Sequence, residues 1–172
     1  MLIDDTEIVK RLHDPKQCRE AFTEIIKTYS EPLYWQIRRM VMNHDDANDL
    51  LQNTFLKAWS NIENFRGDAK LSTWLYKIAI NESITFINKE KQKQNISIDD
   101  DDSFLVGSEM CIRDRQKAIA TLPEKQRMIF NMKYFDEMKY EDMSEILGTT
   151  VGALKASYHH AVKKIELFFS QN

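Results

Sequence analysis

The chain has 172 residues and a mass of 20.3 kDa, a length that suits one ordinary domain or two small ones. Apolar residues make up 42% and charged residues 30%, and no apolar run approaches the roughly 18 to 20 residues that a membrane span needs. The net charge of −3 argues against a protein that holds DNA through phosphate contacts alone. A DNA-binding surface would have to be local, or a larger partner would have to supply much of the affinity.

Turn-forming residues are scarce, since the chain contains only four glycines and three prolines. Sheet proteins need many turns, so this scarcity predicts an all-α fold of long helices. The N-terminal sequence MLIDDTEIVKRL is acidic and lacks the apolar core of a signal peptide. The two cysteines, Cys18 and Cys111, have neither a metal-binding nor a redox spacing. We therefore expect a cytoplasmic protein without membrane insertion.

Apolar residues recur every three or four positions over residues 20–93, which predicts a series of helices. Pro32 marks a predicted break between the first two. The clearest helical face follows at 47–59, with Asp45 or Asp46 as the expected N-cap. The residues of this helix that we expect to point inward are Leu51, Phe55 and Trp59.

A loop and another helix complete this half of the chain. The loop is predicted at 65–68, because Gly67 is the only glycine among the first hundred residues. The helix is predicted at Thr73–Ile87, from the spacing of its apolar residues. Together with the preceding helices, these elements form a predicted domain at 5–93.

Residues 94–116 differ in composition from the rest of the chain. Four consecutive aspartates, Asp99–Asp102, precede Gly107 and Ser108, which is typical of a linker. The string LVGSEMCIRDR resembles translated sequencing-adapter bases, so we suspect that residues 106–115 are not native. The predicted architecture is therefore two small helical domains, at 5–93 and 117–170, joined by an acidic linker at 94–116.

The second domain ends in a pattern typical of a helix-turn-helix. A short helix at 140–147 leads to Gly148, where a left-handed C-cap is expected, and Thr149 or Thr150 then caps a longer helix. The exposed side of that helix combines small residues with cations, and no acid occurs over 149–164. Such a face can approach phosphates in a DNA groove. The same pattern also suits a solvated helix that closes a bundle.

Two surfaces of the first domain carry candidate binding residues. Asp49, Gln52 and Asn53 share one polar side of a helix at i, i+3 and i+4, where they could bind a basic helical partner. The string FRGDAKLSTWLYKIAINE interleaves aromatic residues with cations, which suits the stacking of unpaired bases. Alternatively, Trp74 and Tyr76 are core residues of their helix.

These segments carry a resemblance to a known family. The strings DANDLLQNTFLKAW and FRGDAKLSTWLYKIAINESI resemble conserved region two of sigma factors of the sigma-70 superfamily. The string LPEKQRMIFNMKYFDEMKYEDMSEILGTTVGALKASYHHAVKKI resembles their region four. Because no third domain lies between them, the chain is similar to the extracytoplasmic-function (ECF) group. The resemblance covers about residues 20–93 and 117–168, and it implies a subunit that directs core RNA polymerase to promoters and starts transcription.

The resemblance also implies functions for individual residues. The residues implied for docking on the clamp helices of the largest polymerase subunit are Asp49, Gln52 and Asn53. Those implied for recognising the minus-ten element and holding the melted non-template strand are Phe65, Arg66, Gly67, Lys70, Trp74, Lys77 and Asn81. Those implied for reading the minus-thirty-five element in duplex DNA are Thr150, Lys155, Ser157 and His159.

The implied mechanism is binding and strand capture, without a catalytic residue, cofactor, metal or small-molecule substrate. The implied partners are core RNA polymerase, promoter DNA in duplex and melted form, and an anti-sigma factor. Family members often carry arginines where this chain has Tyr158, His159 and His160. Bidentate recognition of guanine by arginine is therefore absent there, and we expect more reliance on phosphates and groove shape. The acidic linker either mimics nucleic acid in the RNA-exit path of the polymerase or is a solvated spacer.

Other function classes explain less of the sequence. A helix-turn-helix regulator that binds duplex DNA without polymerase explains 118–168 but gives DLLQNTF and FRGDAKLSTWL no function. A helical scaffold protein remains a further alternative. A metal-dependent or nucleophilic enzyme has no support, because the four histidines lack partner spacing and no phosphate-binding glycine loop occurs.

Overall fold

The computed structural model describes residues 5–94 and 117–171, and no strand occurs within them. The chain divides into two compact units between residues 89 and 90. The helices that begin in the first unit are α1 (Asp5–Leu12), α2 (Cys18–Val41), α3 (His44–Ser60) and α4 (Leu71–Gln94), with a 3₁₀ turn at Ile62–Asn64. The described helices of the second unit are a short segment at 117–120, then α5 (Glu124–Tyr134), α6 (Tyr140–Leu147) and α7 (Val151–Gln171).

The predicted all-α fold with two small helical domains is confirmed, whereas the predicted domain boundaries remain predictions. The expected acidic linker at 94–116, including the stretch 106–115 suspected of being non-native, lies outside the described residues except for Gln94. That residue is the last of α4.

The first unit is built around the packing of α2 on α3. Phe22 and Ile25 of α2 are buried, as are Leu50, Phe55 and Ala58 of α3. The rings of Phe22 and Phe55 meet edge to face, with their centroids 6.3 Å apart. Each helix therefore buries one apolar stripe and leaves its opposite side in solvent.

The predicted break at Pro32 is wrong, because α2 continues through this residue. A proline inside a helix costs about 3 kcal/mol, through a lost backbone hydrogen bond and a steric clash. Leu33 and Ile37 are fully buried on the same helix as the buried Ile25. Burying each such side chain contributes roughly 1.5–3 kcal/mol, so tertiary packing outweighs the local preference of proline.

The N-cap of α3 is Asn43, not Asp45 or Asp46 as predicted. The Asn43 side-chain oxygen accepts hydrogen bonds from the backbone N–H groups of Asp45 at 2.8 Å and Asp46 at 3.3 Å. The two aspartates occupy the first turn instead, where their negative charges still favour the positive end of the helix dipole.

The prediction that Leu51, Phe55 and Trp59 all point inward is also wrong. Phe55 is buried and Leu51 is partly buried, but Trp59 is 39% exposed and contacts Phe22 only edge-on, with centroids 4.9 Å apart. Residues four apart drift by about 40° around a helix at each step, so the third member leaves the buried stripe. The buried residues of α3 are Ala47, Leu50, Thr54, Phe55 and Ala58.

The second unit contains the predicted helix-turn-helix, formed by α6 and α7. Gly148 has a φ of +61°, and its N–H donates to the carbonyl of Ser144 at 2.9 Å, which confirms the predicted left-handed C-cap. Thr150 caps α7, because its hydroxyl oxygen accepts the N–H of Ala153 at 3.3 Å. A core cluster beneath these helices contains Ile119, Leu122, Phe130 and Ala161.

Asn131 is a polar residue fully buried in the second unit, and neither of its amide atoms has a hydrogen-bond partner among the described residues. A buried polar group without a partner costs about 1–3 kcal/mol. Leucine has nearly the same branched shape. We therefore expect Asn131→Leu to raise the free energy of unfolding by about 1 kcal/mol, measured by urea denaturation.

The control for this variant is Asn88→Leu, which changes an exposed asparagine of α4. It should alter the free energy of unfolding by less than about 0.5 kcal/mol. A loss of stability in Asn131→Leu would contradict the account and indicate that the amide is hydrogen-bonded in solution.

Candidate polymerase and nucleic-acid interfaces

The outer side of α3 carries the residues predicted to dock on polymerase. Asp49, Gln52 and Asn53 are all exposed, and Leu56 lies one turn further along the same side. Leu56 is 63% exposed and is not among the predicted residues. We call these four residues the α3 docking surface. The sequence contains a signal for Leu56, because this residue lies four positions after Gln52 and three after Asn53 and therefore shares their side of the helix.

Residues 65–70 form a loop between the 3₁₀ turn and α4, and we call it the 65–70 loop. Phe65 is only 4% exposed, and its ring stacks on Trp74 with centroids 4.7 Å apart and an interplanar angle of 28°. Arg66 and Lys70 are exposed, and Trp74 is partly exposed. The loop therefore exposes two cations, Arg66 directly after the buried ring that stacks on Trp74 and Lys70 one turn before Trp74.

Gly67 gives the loop its conformation. Its φ is +80°, a left-handed value that side chains other than that of glycine rarely tolerate. A Cβ atom at this position would lie 3.4 Å from Cγ2 of Val9 in α1. Gly67, which is predicted to belong to the minus-ten site, therefore sets the backbone conformation of the loop at the point where the loop meets α1.

The predicted residues of α4 share one side of the helix. Trp74, Lys77 and Asn81 are spaced at i, i+3 and i+7, and the last two are exposed. This side begins at the 65–70 loop and runs along α4. An ion pair between Lys57 and Glu82 fixes α4 against α3 nearby. The loop and this side of α4 therefore form one continuous surface, which we call the strand surface.

The predicted residues of α7 are not all brought together. Lys155 and His159 are exposed and lie one turn apart on the same side. Ser157 is partly buried, and it lies about 160° around the helix from His159, two residues away. Thr150 lies at the N-terminus, where its hydroxyl caps the helix.

Tyr140, the first residue of α6, contacts two lysines, and the sequence does not reveal these contacts. The ammonium group of Lys155 lies 5.6 Å from the centroid of its ring, and that of Lys133 lies 4.8 Å from it. Both distances are within the range of cation–π attraction. Tyr140 therefore lies between a cation of α5 and a cation of α7 and attracts both.

Two family descriptions match the chain: Sigma-70 region 2 matches residues 25–93, and Sigma-70 region 4 matches residues 114–165. The ECF RNA polymerase sigma factor SigW of Bacillus subtilis is 31% identical, over 88% of this chain and 91% of SigW. The chain belongs to the sigma-70 family, in its ECF group. An ECF sigma-E factor of Haemophilus influenzae is 25% identical, over 95% of this chain and 94% of that protein.

A solved structure supports the fold of this ECF sigma factor. The sigma factor RpoE of Bartonella quintana, in complex with the anti-sigma factor NepR, matches with a TM-score of 0.74 and 23% identity. The match covers 87% of this chain and 96% of RpoE. Sigma factors direct RNA polymerase to promoters, so the regulator that binds duplex DNA without polymerase is not supported.

None of the helices over 5–94 and 117–171 combines the length and the apolar character that crossing a bilayer requires. Across the same ranges, no three His, Cys, Asp or Glu side chains are grouped so that they could hold a metal ion.

Partial burial, and to a smaller extent Tyr158, raises the pKa of the Tyr140 phenol above its usual value of 10.0. The folded sigma factor therefore disfavours the phenolate, and this contribution to stability, present below pH 10, is lost as the pH rises through the folded pKa. We expect Tyr140→Phe to become more stable relative to the native chain at high pH, measured by urea denaturation at pH 8 and pH 11. A difference that does not change with pH would contradict this.

Proposed function

We propose that this sigma factor docks on core RNA polymerase through the α3 docking surface and captures the melted non-template strand on the strand surface. The observation that carries the proposal is the 65–70 loop, which exposes Arg66 and Lys70 and whose buried Phe65 stacks on the partly exposed Trp74. Cations beside an aromatic ring are the arrangement that single-stranded nucleic acid binds.

Strand capture follows from the chemistry of these groups. An unpaired base stacks on the exposed part of Trp74, while Arg66 and Lys70 neutralise the adjacent phosphates. Flipping a base out of the duplex costs a few kcal/mol, and stacking on an aromatic ring contributes about 1–3 kcal/mol in return. Lys77 and Asn81 extend the contact along α4.

We assign Phe65 an indirect, structural role in strand capture. Its ring is buried and covers one side of Trp74, so it supports the tryptophan and does not contact the flipped base. Gly67 allows the turn that brings the two cations beside Trp74.

The α3 docking surface has the composition of a protein interface. Leu56 provides an exposed apolar residue at one end of the surface, and the polar Asp49, Gln52 and Asn53 lie along the same side of α3 on the N-terminal side of it. An apolar anchor beside polar groups is where the binding energy of an interface concentrates. Asp49 supplies charge attraction to a basic helical partner.

The recognition of the minus-thirty-five element falls to α7. Lys155 and His159 face the DNA together, and Tyr140 holds Lys155 in position. Thr150 lies at the start of the helix, where it can approach a phosphate, whereas Ser157 lies about 160° around α7 from His159 and does not face the groove with it. Without an arginine at 158–160, this readout depends on phosphates and groove shape.

The remaining partners follow from this assignment. The polymerase carries out nucleotide addition, so this chain has no catalytic residue and is not an enzyme. A subunit that works on bacterial promoters acts in the cytoplasm. The similar RpoE is bound by an anti-sigma factor, and a partner of that kind is proposed here as well.

The proposal is tested by assembling the chain with bacterial core polymerase and selecting from a library of forked promoter DNA. Assembly with core, followed by retention of a defined single-stranded upstream motif, is the expected result. Binding of duplex DNA by the chain alone, without assembly with core, would overturn the proposal.

Leu56→Ala and Asp49→Lys should each weaken binding to core polymerase. We expect Leu56→Ala to lose about tenfold in affinity, because truncating an apolar side chain that becomes buried on binding costs more than about 1 kcal/mol. The measurement is fluorescence anisotropy of labelled protein with core. The control is Glu63→Lys, an exposed charge reversal in the 3₁₀ turn outside the docking surface, which should bind as the native chain does. Equal affinities for all variants would count against the docking surface.

Trp74→Ala should weaken retention of forked DNA by the assembled holoenzyme about 10-fold or more, since it removes the stacking surface. Trp74→Phe should recover part of this loss. Trp35→Ala is the matched control, because Trp35 is a 48% exposed tryptophan of α2 outside the strand surface. Binding to core should stay unchanged in all three variants. If Trp74→Ala loses core binding and fork retention equally, the tryptophan is only structural.

A further inference from the structure

Helix α1 lies before residue 25, where the match to Sigma-70 region 2 begins, so that match assigns it no function. It nevertheless contacts the first residue of α4 and the 65–70 loop, at one point each. One carboxylate oxygen of Asp5 accepts the backbone N–H of Leu71 at 3.1 Å. The side chain of Val9 lies against Gly67, within ordinary contact distance of a Cβ placed there.

The hydrogen bond from Leu71 to Asp5 acts as an N-cap from a distant part of the chain. The first N–H groups of a helix have no partner within it, and a Ser, Thr, Asp or Asn just before the helix usually supplies one. The residue before α4 is Lys70, whose side chain carries no acceptor. Asp5 supplies both an acceptor oxygen and a negative charge at the positive end of the helix dipole.

The rest of α1 is anchored firmly enough to hold this position. Ile8 and Leu12 are buried, and Arg11 forms an ion pair with Glu24 of α2 at 2.8 Å. Burial, and in second place the Asp5 carboxylate, raises the pKa of Tyr29 on α2, which agrees with Asp5 being held near that helix. Helix α1 thus packs on α2 and also contacts Gly67 of the loop and Leu71, the residue that follows the loop.

We propose that α1 is a positioning element for strand capture, with Asp5 and Val9 holding the 65–70 loop and the first turn of α4 in the binding conformation. This inference rests on the proposed function of the strand surface. The loop is exposed and has a left-handed residue at its centre, so its position depends on contacts at its base. Asp5 and Val9 provide two of those contacts without facing the DNA.

The test compares Asp5→Ala with Asp5→Asn in the full chain assembled with core polymerase. Asp5→Ala removes the acceptor, and we expect about tenfold weaker retention of forked DNA, since a lost hydrogen bond of about 1.4 kcal/mol corresponds to that factor. Asp5→Asn keeps a side-chain oxygen and should recover most of the retention. Glu7→Ala, which removes an exposed acid from the same turn of α1, is the matched control and should retain DNA normally.

A second measurement needs no DNA. Hydrogen exchange of backbone amides should become faster at residues 66–74 in Asp5→Ala, while α3 remains unchanged. Val9→Ala should give a smaller effect in the same segment, which keeps the test decisive if Asp5→Ala folds poorly. Unchanged exchange at 66–74 in both variants would overturn the inference.

Arg66→Ala separates failure of this inference from failure of the proposed function. If Arg66→Ala weakens fork retention and Asp5→Ala does not, only the function of α1 is wrong. If neither variant changes retention, the strand surface itself is wrong. If Asp5→Ala weakens core binding as much as fork retention, its role is general stability, and the inference fails.

Discussion

The packing of α2 against α3 determines which surfaces the first unit leaves open. Phe22 and Ile25 bury one stripe of α2 against Leu50 and Phe55 of α3. Because a helix can bury only one side in a two-helix contact, the opposite side of α3 remains in solvent. The α3 docking surface is that opposite side.

The 65–70 loop shows how a flexible segment obtains a defined shape. Phe65 is buried at one end, Leu71 is buried at the other, and Gly67 supplies the left-handed turn between them. The three charged residues between these anchors, Arg66, Asp68 and Lys70, remain in solvent. A site prepared in this way loses less conformational entropy when it binds a strand. Helix α1 contributes to this preparation from outside the residues that the Sigma-70 region 2 description matches.

In the proposed function, the two units divide recognition between different kinds of DNA. The first unit offers an aromatic ring with cations, which suits unpaired bases. The second offers a capped helix with small and cationic residues, which suits the groove of a duplex. An overall charge of −3 is compatible with both, because each cationic surface is local and the polymerase supplies further affinity.

Local sequence patterns predicted much of this fold. Apolar spacing gave the helices, and Gly148 with Thr150 gave the turn of the helix-turn-helix, because these signals act over a few residues. The continuous helix through Pro32 could not be predicted this way, since it depends on the burial of Leu33 and Ile37 in the folded unit.

The candidate site shows the same limit. Polar residues of the docking surface were identifiable from their spacing, whereas an apolar residue such as Leu56 is expected to be buried until its exposure is known. The hydrogen bond between Asp5 and Leu71 joins residues that are 66 positions apart. In the stack of Phe65 on Trp74, Phe65 is the buried ring and Trp74 is the partly exposed one, which the sequence does not reveal. Such contacts depend on tertiary structure, which periodicity alone does not describe.

The most direct test of the account is permanganate footprinting of a promoter selected with the reconstituted holoenzyme. Permanganate modifies thymines that have lost their stacking, so it reports strand opening base by base. We predict reactive thymines in the non-template strand at the minus-ten element only when the chain and core polymerase are both present. Duplex binding by the chain with no reactive thymine, even in the presence of core, would contradict the account.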